Sequence, residues 1–116
     1  MRLVNYVVDA GGKVAIPAVP APKSGFASAE EAVKLSVDWE LTVTKQINAL
    51  VDLAIKETDH TTQNFLQWFV TEQLEEVSSM ERLLSMIRRA GANLLFVEDY
   101  LARQGGGGKE AEAGAE

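Results

Sequence analysis

The sequence predicts an all-α fold built around one long antiparallel helical hairpin. Three observations carry this expectation. Residues 28–57 and 60–90 contain neither Gly nor Pro. Each stretch repeats apolar residues at alternating three- and four-residue steps, the spacing that keeps one stripe of a helix facing a neighbour. Each also opens on a residue that can cap a helix, Ser28 and Asp59 respectively.

The order of elements begins less clearly. Residues 1–10 carry Leu3, Val4, Tyr6, Val7 and Val8, and by residue propensity alone they read as a strand more readily than a helix. Gly11-Gly12 ends the segment. Residues 13–25 hold three prolines, each fixing φ and removing a backbone donor, so an extended crossover is expected there. Ser28 and Glu31 then have the spacing of a capping box, and a long helix is expected from this point to about Glu57. Thr58-Asp59 supplies the stop and the next N-cap. A second long helix is expected from about His60 to Ala90, closed by Gly91, with a short third one from Asn93 to Gln104 whose apolar face is Leu94, Leu95, Val97, Tyr100 and Leu101. Residues 1–104 are thus read as the folded domain, and GGGGKEAEAGAE, residues 105–116, as a flexible tail.

Composition narrows the chemistry. With 11 Lys plus Arg against 17 Asp plus Glu, the net charge is −6, which disfavours nucleic acid or an anionic membrane surface as partner and favours a cation. The chain has no Cys, so disulfides, thiolate catalysis and zinc-thiolate sites are excluded, and any metal is expected to be held by oxygen. Its apolar runs are too short and interrupted for a signal segment or a membrane span. An intracellular, cytoplasmic protein is expected.

The seams of the two long helices are interrupted by polar residues in mid-course. The first runs Val33, Val37, Glu40, Thr44, Ile47, Val51, Ala54; the second runs Leu66, Phe69, Gln73, Glu76, Met80, Leu83, Ile87. Folding the chain at Asp59 puts Glu40, 19 residues before it, and Glu76, 17 after it, at about the same height, roughly 25 to 29 Å from the turn. Burying two carboxylates face to face costs several kcal/mol each unless a cation or donors compensate. Glu72 and Glu75 leave the second helix near the same level. Two readings stand side by side: Glu40, Glu72, Glu75 and Glu76 are hard oxygen ligands for a metal with Gln73 as a hydrogen-bonding neighbour, or the carboxylates are a solvated face. Glu57-x-x-His60 has the spacing of carboxylate and imidazole ligands but lies at the turn, away from these residues, and is read as a surface pair. Trp39 and Trp68 are read as core or interface residues.

The stretch NFLQWFVTEQLEE, residues 64–76, resembles the fourth helix of bacterial non-haem ferritins. The resemblance continues through KQINALVDLA, the Asp59 turn, IRRAG and LLFVEDYLARQ, and takes in the opening RLVNYVVDAGGKVAIPAVPAP as the end of a second helix and its crossover. It implies a ferritin-like four-helix-bundle subunit that is N-terminally truncated, with two long antiparallel helices and a short C-terminal one. It further implies iron as the bound ion, storage of iron as the role, and ferroxidase chemistry, with Glu40 and Glu76 matching di-iron ligands, Glu72 and Glu75 joining Glu76 at a third iron position, and Gln73 beside the centre. The family's first helix with its Glu, and the Glu-Glu-x-x-His string of its second, have no counterpart here, so the resemblance supplies only half of the di-iron ligands. The family position before Glu40 often holds His, where this chain has Trp39. The implied partners are iron ions and further subunits, either copies of this chain or full-length ferritin subunits. The alternative is a non-catalytic helical module that self-associates into a bundle.

Overall fold

The computed structural model describes residues 1–104; the proposed tail lies outside the described residues. Four helices follow one another: α1 (Arg2–Asp9), α2 (Ala29–Lys56), α3 (His60–Ala90) and α4 (Leu94–Gln104), and the described residues contain no strand. The chain divides into two compact units, one of Phe26–Asp99 and the other of Met1–Gly25 with residues 100–104.

In the unit that holds the N-terminus, the opening segment is helical, which overturns the strand expected from its valines. Arg2, Asn5 and Asp9 fall on one side of a helix while Leu3, Val4, Val7 and Val8 pair at four-residue steps on the other. That 3.6-residue period outweighs the β-propensity of single valines, which chiefly reflects packing on a sheet that is not present. The helix closes in a Schellman motif: the Gly12 amide donates to the Val7 carbonyl at 2.8 Å and the Gly11 amide to Val8 at 3.0 Å. Gly11 has φ 85°, the left-handed value this closure needs. Residues 13–25 follow without regular structure and with every residue exposed, as the prolines dictate.

The other unit is the helical hairpin. Ser28 Oγ accepts from the Glu31 amide at 3.1 Å, while Glu31 Oε2 accepts from the Ala27 amide at 2.6 Å, so the reciprocal arm of the cap reaches one residue beyond Ser28. The long α2 ends in a second Schellman motif, with the Asp59 amide donating to Ala54 at 2.8 Å and the Thr58 amide to Ile55 at 3.1 Å. Here the left-handed position is Thr58, φ 55°, a β-branched residue in a region that favours glycine. Asp59 then caps α3, its two carboxylate oxygens accepting from the Thr62 amide at 3.1 Å and the Thr62 hydroxyl at 2.6 Å. The hydroxyl first, and the amide after it, hold the Asp59 carboxyl below the ordinary carboxylate range. At the far end, Gly91 (φ 58°, ψ −119°) takes the backbone conformation of the second residue of a type II′ turn, closed by the Asn93 amide on the Ala90 carbonyl at 3.1 Å.

Both predicted seams are recognisable between α2 and α3. Val37, Ile47 and Ala54 are buried, with Val33, Glu40, Thr44 and Val51 half-buried. Across from them Leu66, Leu83 and Ile87 are buried, with Phe69, Gln73 and Met80 half-buried. Glu76 departs from the pattern and is exposed. Two helices cover each other along a narrow strip, and Glu76, three residues from Gln73, falls about 60° round the helix from it. Val97 of α4 joins Leu83 and Ile87 in one apolar cluster lined by Ala29, Val33, Met80 and Ala90. Leu94, Leu95 and Leu101 of the expected α4 face are exposed. The open end of the hairpin is joined by Arg88 Nε and Glu30 Oε1 at 2.8 Å, about half exposed and so a marker of register more than a source of stability.

The turn supplies two tests. Replacing Thr58 by Gly removes the left-handed penalty of about 1–2 kcal/mol at the cost of about 0.5–1 kcal/mol in unfolded-chain entropy; Thr58→Gly is expected to raise stability by about 0.5–1 kcal/mol, read as a higher urea midpoint at an unchanged m-value. Because Asp59 titrates lower in the folded chain than in the unfolded one, its contribution is present above the unfolded carboxylate value, about 3.9, and is lost as pH falls through the folded value. Asp59→Asn is expected to flatten the acid limb of a stability-against-pH curve while leaving a capped helix; an unaltered limb would refute this role.

Candidate functional site

The polar break in the α2–α3 seam is built from three side chains. Thr44 sits one helical turn after Glu40, so its hydroxyl reaches back and donates to the Glu40 carbonyl at 2.9 Å. Gln73, on the facing strip of α3, extends its amide nitrogen across. Nε2 donates to the Glu40 carbonyl at 3.1 Å, to Glu40 Oε2 at 3.2 Å and to Thr44 Oγ1 at 3.1 Å. All three residues are half-buried. No polar side chain of the described residues is buried without a hydrogen-bond partner.

Across the seam Glu40 is met by Gln73, and Glu76, one turn further along α3, is exposed. Counting from the turn matches the two helices in height, since Thr44 and Gln73 lie at nearly equal distances from it and are in contact. Glu72 is half-buried, whereas Glu75 and Glu76 are exposed. Among the described residues no group of three or more His, Asp or Glu side chains stands close enough together to hold a metal ion. Glu40, Glu72, Glu75 and Glu76 thus do not form a closed oxygen cage within this chain. Thr44 was counted in the sequence as an ordinary seam position. Its place one turn after Glu40 was the available signal of its hydrogen bond.

The remaining candidates fall outside this contact. Glu57 and His60 are both exposed at the hairpin turn, one ending α2 and the other starting α3. Trp39 is 63% exposed and Trp68 36%, so neither is a core residue. Trp68 packs edge-on against Phe69, with ring centroids 4.9 Å apart. No helix among the described residues is long and apolar enough to cross a membrane.

Residues 1–90 match the ferritin family model, described as a ferritin-like domain. The chain belongs to the ferritin family. It is similar to ferritin BfrB of Mycolicibacterium smegmatis, with 41% identity over 104 residues that span 90% of this chain and 58% of that protein. A bacterial non-heme ferritin of Staphylococcus aureus is 36% identical over 98 residues, 83% of this chain and 59% of that one. Among solved structures, an open pore ferritin from the hyperthermophilic archaeon Archaeoglobus fulgidus superimposes with a TM-score of 0.83 at 37% identity, covering 86% of this chain and 63% of that chain. The chain thus spans less than two thirds of the length of each of these ferritins. The all-α ferritin-like architecture expected from the sequence is the one these structures share.

The Gln73 amide is neutral, and its replacement tests the contact directly. Gln73→Glu sets a second carboxylate against Glu40, and repulsion exists only while both are ionised. Stability is expected to fall by about 1 kcal/mol at neutral pH and to recover as pH falls through the raised value of the repelling pair, with recovery complete below the ordinary glutamate value of about 4.3. Equilibrium denaturation at pH 7 and pH 4 measures both limbs.

Proposed function

We propose that this chain is an iron-binding ferritin subunit that takes part in iron storage, holding iron through Glu40, Glu72, Glu75 and Glu76. The observation that carries the reading is the half-buried Glu40 carboxylate, which meets a neutral amide in the seam and, among the described residues, no Lys or Arg that would offset a cation's place beside it. The donors fit iron in kind, being hard oxygens, and oxygen ligands serve manganese as well. They do not reach a sufficient number in one place within the described residues. The proposal therefore includes completion of the site by carboxylates of another chain, a second copy or a longer ferritin subunit. Oxidation of Fe(II) to Fe(III), with dioxygen or peroxide taking up the electrons, belongs only to that completed assembly. The resemblance to ferritins from bacteria and an archaeon supports the family role, and a cytoplasmic location is part of the proposal.

A second reading has its own support. Leu35, Trp39, Leu50 and Leu53 are all at least 43% exposed and return to one side of α2, leaving an apolar stripe beside the one that packs on α3. A helical module that self-associates through this stripe without iron chemistry accounts for it equally well.

Three measurements separate the readings. Anaerobic Fe(II) titration by calorimetry is expected to show binding that Glu40→Ala weakens, and admission of air is expected to give a near-ultraviolet rise that Glu76→Ala slows. Light scattering is expected to give a mass above that of one chain. An associated protein that takes up no Fe(II) above a buffer control would discard iron binding and leave the module.

A further inference from the structure

We propose that Thr44 is a positioning residue that helps hold the Gln73 amide with its NH2 group on Glu40, whose other carboxylate oxygen, Oε1, is then the one left to meet a cation. The cation half of this inference rests on the iron-binding reading; the orientation half stands on the hydrogen bonds alone.

The argument follows the protons. A threonine hydroxyl has one proton and two lone pairs. Thr44 gives its proton to the Glu40 carbonyl at 2.9 Å, so toward any other neighbour its oxygen can act only as acceptor. Gln73 approaches that oxygen to 3.1 Å and must present NH2 to it. The same end of the amide faces the Glu40 carbonyl at 3.1 Å and Glu40 Oε2 at 3.2 Å. A flipped amide would set its own carbonyl oxygen against three acceptors at these distances. Three acceptors around two amide protons fix the orientation: the two Glu40 oxygens can only accept, and the Thr44 hydroxyl joins them as a third acceptor because its proton is committed to the Glu40 carbonyl.

Two consequences follow for Glu40. Its Oε2 receives a proton donor and its Oε1 receives none from the described residues, so the carboxylate is held by one oxygen and open at the other. The donor is neutral, and the carboxylate is steered without being neutralised. A Lys or Arg in place of Gln73 would hold the same oxygen but cancel the charge that attracts a cation.

The pair Thr44→Val and Thr44→Ser tests the inference in the full-length chain. Valine keeps the shape and deletes the hydroxyl, while serine restores it. The metal-free protein is followed by NMR of the Gln73 side-chain NH2 group, and both variants are titrated anaerobically with Fe(II). The wild-type NH2 protons are expected to be well separated in shift and slow to exchange, to move toward free-amide behaviour in Thr44→Val and to return in Thr44→Ser. Fe(II) affinity is expected to fall by about tenfold in Thr44→Val, in line with the loss of outer hydrogen-bonding partners at other metal sites, and to recover in the serine variant. An unchanged Gln73 NH2 signal in Thr44→Val overturns the positioning role, and so does an equal loss of affinity in both variants. A wild-type protein that shows the ordered NH2 group but binds no Fe(II) upholds the orientation and overturns the iron-binding reading with the cation half of this proposal.

Discussion

Everything in the hairpin depends on the register between two rods of about thirty residues. A slip of one turn moves facing side chains by about 5.4 Å, enough to take Gln73 out of reach of Glu40. Two features resist that slip, and a third reports the register. The turn is closed at both of its helix ends, by the Schellman bonds of Thr58 and Asp59 and by the Asp59 cap on Thr62. Buried Ile47, Ala54 and Leu66 lock the strip next to it. The Arg88–Glu30 pair then marks the other end. The strained Thr58 is tolerated because both of its neighbours in the motif are hydrogen-bonded, whereas the corresponding closure after α1 uses Gly11 and carries no strain.

Within that register a polar contact sits among apolar neighbours. An isolated carboxylate at a half-buried position is unfavourable, and a cationic partner would be the ordinary remedy. The chain uses an amide and a hydroxyl, which satisfy hydrogen-bonding groups while leaving the charge in place. Such an arrangement contributes little net stability compared with an apolar pair of the same volume. Its presence in a seam where Val or Leu would pack is best explained by what the retained charge does, which is why Glu40 carries the functional reading more firmly than the exposed Glu75 and Glu76.

Much of the hairpin was legible in the sequence because its signals are local. Gly- and Pro-free stretches, the Ser28 and Asp59 caps and Gly91 gave both long helices nearly to the residue. The first helix was not legible by propensity, since five apolar residues in eight suit either state until the spacing of Arg2, Asn5 and Asp9 is weighed. The height at which polar groups meet could be counted from Asp59. The rotation about α3 that half-buries Gln73 and leaves Glu76 exposed could not, because a three-four seam names a stripe wider than the strip one neighbour covers. Resemblance to ferritins marked Gln73 as a neighbour of the site, and the Thr44 hydroxyl emerged only when its bond to the Glu40 carbonyl was visible.

The side on which Glu76 lies joins the two proposed readings. One side of the hairpin is a groove lined by Leu41, Asn48, Val70, Leu74 and Val77. At 100° per residue, Trp39 and Leu50 of α2 turn to the opposite side, and so do Glu72 and Glu76 of α3. The uncovered apolar stripe and two of the candidate ligands therefore share a side. A partner helix that covers Trp39 and Leu50 also takes Glu72 and Glu76 out of water, and burying them requires compensating charge. The two proposed readings therefore concern the same side, and a partner that covers the stripe must also accommodate the carboxylates of Glu72 and Glu76.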